Sequence, residues 1–428
     1  MKRIVLIITI FSFLLSCVPK KELKKTQKVI TIWETYNNEE HQVFEKIVKK
    51  FEQLNPDITI RVQRVPWDGH VTKLLVSMIS HTAPDIARVD LAWMPKLVKS
   101  KSVYDLTEFG GLELAKKLVP AAVDSCIFEE RFLFKNSTST NKRIFGIPDQ
   151  ITGVALFYNK DLLRKYNITK LPSTWEEFIE IGKKFSKSLS VDKKTDVYWF
   201  GMWSGLWWSL PFFNTYGVKF IDEEGKKCLL ASSEEAKQAL QLMKRLYDEK
   251  IEAGAWITGA VNPDIGFLNN KYATILSGPW NVKRFKEAKI NFGITLIPKG
   301  PKGTSTNVGG TVMVVLRETK YPFECYKFLE FLVSDEIQKI WCEELGQIPV
   351  SLSAAEKIDY DKIENGQEIK IFTEQMKYAI GRPKVLDYRA MEEIMSTEIY
   401  AYLIGEKPLE QVLKDATEKI EKEVLRIE

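Results

Sequence analysis

The sequence predicts an α/β protein built on largely parallel sheets, and three observations predict it. Residues 29–33, 58–65 and 86–89 are short apolar runs rich in Ile and Val, bounded by polar or turn residues, and read as strands. Between them, residues 41–54 and 69–80 place Val43, Phe44, Ile47, Val48 and Phe51, and Val71, Leu74, Leu75 and Met78, at helical spacing. Strand, helix, strand, helix, strand is a βαβαβ unit, whose crossovers give parallel neighbours. Finally, 428 residues with 45% hydrophobic and 28% charged content suffice for two cored domains of an ordered protein, not a disordered or multi-span chain.

The elements follow in order. Glu39 and Glu40 favour the positive end of the first helix, and Asn55-Pro56 stops it. Ala83-Pro84-Asp85 leads into the third strand. Residues 148–153 read as a break, 154–158 as a strand and 161–166 as a helix. Ser173 or Thr174 caps another helix with Glu176 and Glu177 in its first turn, where Trp175 is structural. Residues 199–213, WFGMWSGLWWSLPFF, hold four Trp; a helix there sets Trp203 and Trp207 on one face with Trp208 beside them. Residues 232–250 form an amphipathic helix. Residues 273–276 are a buried strand, Ser277-Gly278-Pro279 a turn, and a helix opens near Trp280 before a strand at 291–297. Gly309-Gly310 is a hinge-like entry to a strand at 311–316. Helices at 322–333, 335–345, 391–403 and 409–427 follow, with 383–389 a loop.

The N-terminus reads as an address. Lys2-Arg3 precedes an apolar run, residues 4–15, too short to span a bilayer as a helix. It ends in Leu14-Leu15-Ser16-Cys17, which resembles the lipobox at which bacterial lipoproteins are cut and lipidated; an ordinary secretory signal or an uncleaved anchor are the alternatives. Lys20, Lys21, Lys24, Lys25 and Lys28 then make a basic tether. Setting these residues aside, the formal charge of +5 leaves a nearly neutral body, which offers no footprint for nucleic acid. Cys126, Cys228, Cys325 and Cys342 form no C-x-x-C; small buried residues are favoured over disulfides, which an exported protein permits. His41, His70 and His81 have no metal-ligand spacing, so neither a metal nor another cofactor is expected.

Aromatic residues are the compositional excess: 11 Trp, 23 Phe and 15 Tyr. Several stand at turns after strands, where open α/β sheets bind ligands: residues 34–37 with Glu34, Tyr36 and Asn37, residues 66–68 with Trp67, and residues 90–93 with Asp90. Trp280 stands at another such turn. Core packing or helix capping accounts for any one of these; their coincidence points to a ligand rim. Flat rings suit the apolar faces of sugars, with a few polar groups for the hydroxyls.

The order of these elements resembles the extracellular solute-binding proteins of bacterial ABC importers, the family that includes maltodextrin-binding proteins. The residues that carry it are Thr31-Ile32-Trp33, 51–56, Ala83-Pro84-Asp85-Ile86 with Asp90, Gly146-Ile147-Pro148, 157–162, 172–175, Gly278-Pro279-Trp280, Gly309-Gly310 and Gly346-Gln347-Ile348-Pro349. The resemblance implies a two-lobed periplasmic-binding-protein fold with a cleft between lobes. Its expected bounds are a signal at 1–16, a tether at 17–28, a first lobe at 29–149 plus 311–352, and a second at 150–310 plus 353–428. It implies Trp280 and Trp207 as sugar-stacking rings, with Trp203 adjacent, Asp90 as a hydroxyl acceptor, and Glu34, Tyr36 and Asn37 in a polar loop. It also points to Thr152, where the maltose-binding member has an acidic residue, Gly310 in the hinge, and Tyr388 and Arg389 in a late aromatic loop. These departures put maltose itself in doubt.

The implied function is capture of an oligosaccharide or disaccharide by hinge closure and delivery to the membrane subunits of an ABC permease. The protein would be a non-enzymatic monomer, exported and lipid-anchored through Cys17. The alternatives are the same role for a non-sugar solute such as a glycerol phosphodiester, for which Arg382, Lys384 and Arg389 are the nearby cations, and a surface glycoside hydrolase. The latter needs two carboxyls ~5–10 Å apart, to which nothing in the sequence points.

Overall fold

The computed structural model describes residues 27–133, 137–191, 197–252 and 261–425. The expected signal peptide, Cys17 and all but the end of the tether lie outside the described residues. The strands are β1 (Lys28–Glu34), β2 (Ile58–Arg64), β3 (Ile86–Asp90), β4 (Ile127–Glu129), β5 (Lys142–Ile144), β6 (Ile147–Thr152), β7 (Ala155–Asn159), β8 (Tyr198–Gly201), β9 (Tyr272–Ser277), β10 (Phe292–Thr295), β11 (Thr306–Asn307), β12 (Gly309–Val315) and β13 (Ala379–Ile380).

Two sheets organise the molecule. The first has the order β2-β1-β3-β12-β6, and β1 pairs in parallel with both β2 and β3, as the βαβαβ pattern requires. The second has the order β10-β7-β9-β8. Each sheet contains one reversed strand: β12 runs against β3 and β6, and β7 against β9 and β10. Both reversed strands are the first that the chain forms on entering their sheet from the other lobe, β7 directly after β6, and β12 after β10 and the short β11, which pairs with β13 in a sheet of its own. A strand entering from the junction runs away from it, whereas strands laid down by right-handed crossovers end at it. The carboxyl ends of β1, β3, β6 and β9 therefore converge on the junction between lobes.

Packing follows the patterns in the sequence. In the first lobe Ile30, Ile32 and Val89 are buried against Phe44, Ile47 and Phe51 of the helix Asn38–Leu54, and Phe51 meets Phe328 edge to face at 5.0 Å. In the second, Trp175 stacks on Phe212 at 4.7 Å and its indole donates to Thr215 Oγ1 at 3.0 Å, a structural role. The helix Leu352–Lys357 packs on Asp335–Leu345 in the first lobe, and Gly366–Met376 packs on β7 and β10 in the second. We propose crossings near 152–155, 307–309 and 357–366 from this packing.

Three local readings are corrected. Residues 148–153 are not a break, because β6 runs through them: Pro148 sits on an edge strand opposite Val312, where the register of β12 shifts, a position that asks nothing of the missing N–H. Trp203 is not on the helix with Trp207, because that helix starts at Leu206, after Gly205 at φ +111°. The last long loop ends earlier than expected, since the helix Tyr388–Leu403 is capped by Asp387, whose carboxylate accepts from Ala390 N–H at 3.1 Å. Cys126, Cys228, Cys325 and Cys342 are buried free thiols, and burial lifts Cys325 and Cys342 to about 12, keeping them protonated.

Candidate functional site

A cleft of about 660 Å³ lies at the junction of the two sheets. Its first-lobe wall is made by residues at the carboxyl ends of strands: Thr35 and Asn37 after β1, Trp67 after β2, Asp90 ending β3, Gln150 and Thr152 on β6. Trp207 and Trp280 form the opposite wall, and Gly309, Gly310 and Arg382 lie between.

The aromatic wall is shaped by backbone. Trp280 occupies a single turn, Pro279–Asn281, at the end of β9 and is 47% exposed. Its ring folds over Gly278 so closely that a Cβ there would lie 1.9 Å from it. Trp207 opens the helix Leu206–Tyr216; its N–H donates to Glu392 Oε1 at 3.2 Å and its carbonyl accepts from Asn307 Nδ2 at 2.8 Å. The Trp207 and Trp280 rings stand 6.4 Å apart. Trp208 meets Trp207 edge to face at 4.8 Å, and Trp203 stacks on Trp208 at 5.9 Å. Trp203 thus backs the wall without lining it. Trp67, 46% exposed, rests against His70 on the other side.

The polar groups are tied to one another. Asp90 Oδ1 accepts from Ala92 N–H at 2.7 Å and from Arg382 Nη1 at 2.9 Å, so Asp90 is at once a cap and a cleft residue. Arg382 lies with its guanidinium carbon 5.3 Å from the Tyr388 ring centre. Arg88, on β3, donates to Asp149 Oδ2 at 2.8 Å and to Thr35 Oγ1 at 2.7 Å, and also bonds Gln150. Burial alone would depress Arg88; the charge and hydrogen bond of Asp149, with Tyr36 and Glu40 nearby, together outweigh it and raise its pKa, so the guanidinium stays charged. Glu40 accepts from Gln150 and Gln347, each at 2.9 Å, joining three distant segments at the rim. Asn37 takes part in a reciprocal capping box with Glu40, with both bonds at 2.9 Å.

Besides Trp203, four expected site residues stand elsewhere. Glu34 is fully buried: one oxygen accepts from Tyr36 N–H and the other lies 2.7 Å from His41 Nδ1. Burial raises its pKa against the opposing pull of the Tyr36 amide, His41 and Arg64. Tyr36 is core, packed on Phe44 at 5.0 Å and Trp341 at 5.2 Å, and donates to Asp149 Oδ2 at 2.7 Å. Both face inward because β1 buries alternate residues, and Glu34 and Tyr36 share the phase of Ile30 and Ile32. Tyr388 is buried behind Arg382, and Arg389 is exposed and paired with Glu393 at 3.0 Å. Conversely, Glu40, Arg88 and Gln150 carry no site signal in the sequence; Thr35 lies within the rim turn 34–37, Gln347 beside the glycine that ends a helix, and Arg382 among the cations named for a phosphodiester.

Residues 37–339 match the family described as bacterial extracellular solute-binding protein. The chain is 26% identical over 397 residues to a putative binding protein of Brucella abortus (strain 2308), covering 88% of each. It is 23% identical to a maltodextrin-binding protein of Bacillus subtilis (strain 168), covering 93% of this chain and 90% of that one. It shares its fold with the crystal structure of a cyclic alpha-maltosyl-1,6-maltose binding protein from Arthrobacter globiformis, with a TM-score of 0.79 at 20% identity, covering 92% and 98% of the two chains. In sequence over most of its length, and in the placing of a cleft between two mixed sheets, the chain belongs to the bacterial extracellular solute-binding protein family.

Proposed function

We propose that this protein binds a neutral oligosaccharide in the cleft and presents it to the membrane subunits of an ABC importer, without chemical conversion. The observation that carries the reading is the cleft itself: Trp67 on one wall and Trp207 and Trp280 on the other line it together with the polar side chains of Asp90, Gln150 and Thr152. Ring faces cover the apolar side of a pyranose and polar groups take its hydroxyls. A ligand held by both walls binds the closed form better than the open one, so it shifts the lobes toward closure. The names of the maltodextrin-binding and maltosyl-maltose-binding relatives support a sugar. Attachment through Cys17 fits the same role, as several acyl chains would anchor the protein beside a permease at ~0.8 kcal/mol per buried methylene.

The phosphodiester reading is not favoured. Arg88 and Arg382 are the cations among the described cleft residues, and Asp149 and Asp90 neutralise them. Lys384 pairs with Asp124 at 2.9 Å and Arg389 with Glu393. A hydrolase finds no better footing, since two of the three cleft-lining carboxylates are engaged, Asp90 with Arg382 and Glu40 with two glutamines.

The test is a thermal-shift and mass-analysis screen of the purified protein with maltotriose, a galactotriose, an arabinotriose, glycerophosphocholine and glucose. A sugar at a hundred times its dissociation constant adds ~2.7 kcal/mol to folded-state stability. A shift with one trisaccharide and no product is expected. A shift only with the phosphodiester, or a shortened sugar, would overturn the reading.

A further inference from the structure

We propose that the end of the first lobe opposite the cleft is a membrane-contact face, where Leu54, Val76, Ile79 and Phe323 dip into the surface of an anionic phospholipid bilayer. This contact rests on the attachment at the N-terminus proposed above, and it states how the attached protein sits.

Among the described residues, the four most exposed large apolar side chains are Ile79 at 81%, Leu54 at 65%, Val76 at 59% and Phe323 at 55%. They come from three helices, Asn38–Leu54, His70–Ile79 and Pro322–Leu332, yet hydrogen bonds gather them round one point, the start of β1. Lys28 N–H donates to the Asp57 carbonyl at 2.9 Å, in the turn that follows Leu54. The Lys28 ammonium pairs with Glu324, the neighbour of Phe323. His81, just beyond Ile79, lies with Nδ1 2.7 Å from Glu318 Oε1, in the segment that leads from β12 to Phe323. Val76 stands one turn before Ile79 on the same face of its helix. That face, Thr72, Val76 and Ile79, is exposed and uncharged, where a solvated helix carries charge. The nearby Lys73 turns away to the Trp33 ring, with Nζ 4.5 Å from its centre. Singly exposed apolar residues are ordinary, but a group of them at one end of a molecule marks an interaction site.

The point of entry of the chain identifies the cover. β1 begins at this end, and Cys17 stands 11 residues before Lys28. Even fully extended, those residues reach only ~36–40 Å. A lipid on Cys17 therefore holds this end of the lobe beside the bilayer, while β1 carries the chain ~20 Å away from it to the cleft. The charges agree with a lipid surface. Glu324 and Glu318 are paired with Lys28 and His81, whereas Lys101 and Lys320 are exposed and have no ion-pair partner among the described residues. Lys101 adjoins the same segment after β12, since Arg317 N–H donates to the Ser102 carbonyl at 2.9 Å. With Lys20, Lys21, Lys24 and Lys25 before β1, these cations favour anionic headgroups. The same charges would repel one another across an interface with a second copy. Seated on this face, the protein turns the carboxyl ends of β1, β3 and β6, and with them the cleft, away from the bilayer toward arriving solute. Delivery to a permease then requires the face to lift.

The test places the full chain, made in a bacterial host and recovered in detergent, in vesicles of equal parts phosphatidylcholine and phosphatidylglycerol. The single variants Leu54→Cys, Ile79→Cys and Phe323→Cys carry a thiol-reactive, environment-sensitive dye. Ile265→Cys, 47% exposed on the second lobe, is the control. The unsubstituted chain gives the background, since Cys126, Cys228, Cys325 and Cys342 are buried. Emission from residues 54, 79 and 323 should shift to shorter wavelength and be lost to lipids brominated in the acyl chain, because interfacial apolar groups sit ~5–10 Å into the boundary of headgroups and chains. Emission from residue 265 should do neither. Vesicles of phosphatidylcholine alone, or Lys101→Glu/Lys320→Glu in the mixed vesicles, should weaken the quenching. Should one labelled variant fold poorly, the other two carry the comparison. Quenching at the three positions no greater than at 265 would overturn the contact while leaving the attachment intact. A wavelength shift without quenching that grows with protein density would assign the face to a second copy instead. Equal quenching in neutral vesicles would overturn the anionic preference. Wild type that washes off the vesicles would overturn attachment at the N-terminus, and the contact with it.

Discussion

At the scale of single residues, two tryptophans of the same chain have opposite fates, and burial decides between them. Trp175 is 2% exposed, stacked and hydrogen-bonded, so Trp175→Ala should destabilise the fold by ~3–5 kcal/mol. Trp280 is 47% exposed over the cleft. Trp280→Ala should leave thermal unfolding nearly unchanged yet weaken the bound trisaccharide by about tenfold or more, as loss of an aromatic anchor does. Gly278→Ala should reproduce the binding loss without touching the indole, because its Cβ would occupy the place of the ring. Calorimetric titration of both variants checks this; undiminished affinity in Trp280→Ala would remove the ring from the site. Trp280 was legible in the sequence because a Trp after Gly-Pro at a strand end has few places to go. The opposite error befell Glu34 and Tyr36. A polar loop at a strand end reads as a rim, but the alternation of β1 carries both inward. Arg382 entered only as a cation for a phosphodiester, and its pairing with Asp90 was illegible because the two lie 292 residues apart, farther than any spacing rule reaches.

At the scale of elements, helix ends carry chemistry that the apolar pattern does not. Asp335 opens the helix Asp335–Leu345, and its carboxylate accepts from Ser351 Oγ at 2.7 Å and from Lys357 Nζ at 2.6 Å, with Ser353 alongside. It therefore ties that helix to Leu352–Lys357 across the turn between them. The Lys357 and Ser353 hydrogen bonds hold its pKa down at about 2. A carboxylate depressed in the folded state contributes stability that is complete above the unfolded value, ~3.9, and is lost as pH falls toward the folded one. Asp335→Asn should thus unfold at a lower temperature than wild type at pH 7. The gap should close between about pH 4 and the folded value of about 2; thermal melts across that range measure it, and a constant gap would show that the loss does not come from the carboxylate's charge. The strands and long helices of this region were legible because their periods are strong. Pro148 was not, because a proline excludes a central strand but is tolerated at an edge, and edge position is a property of the assembled sheet.

At the scale of the molecule, the two reversed strands mark where the lobes are joined, and Gly309-Gly310 lies at one of those joints. The sequence presents the pair as a flexible entry; the structure separates two roles. Gly310 has φ +127°, and a Cβ there would stand 2.1 Å from the Gln150 carbonyl, so both backbone conformation and the close approach of β6 exclude a side chain. Gly309 is not in the left-handed region; its added Cβ would meet the side chains of Thr152, Trp207 and Arg382 at 3.0 Å or more. The first glycine serves the floor of the cleft and the second serves the joint. Gly310→Ala should therefore cost ~1–3 kcal/mol in strain alone and lower the unfolding temperature of the unliganded protein. Gly309→Ala should leave that temperature close to wild type while weakening the trisaccharide. Small-angle scattering distinguishes a third consequence. Wild type should become more compact on adding the sugar as the lobes close, and Gly309→Ala should do the same at higher sugar concentration, since its joint is intact. Gly310→Ala should compact less at saturation, because β12 can no longer keep its path beside β6. Full compaction of Gly310→Ala at saturating sugar would show that the lobes turn about the other crossings, 152–155 and 357–366, and not about this one.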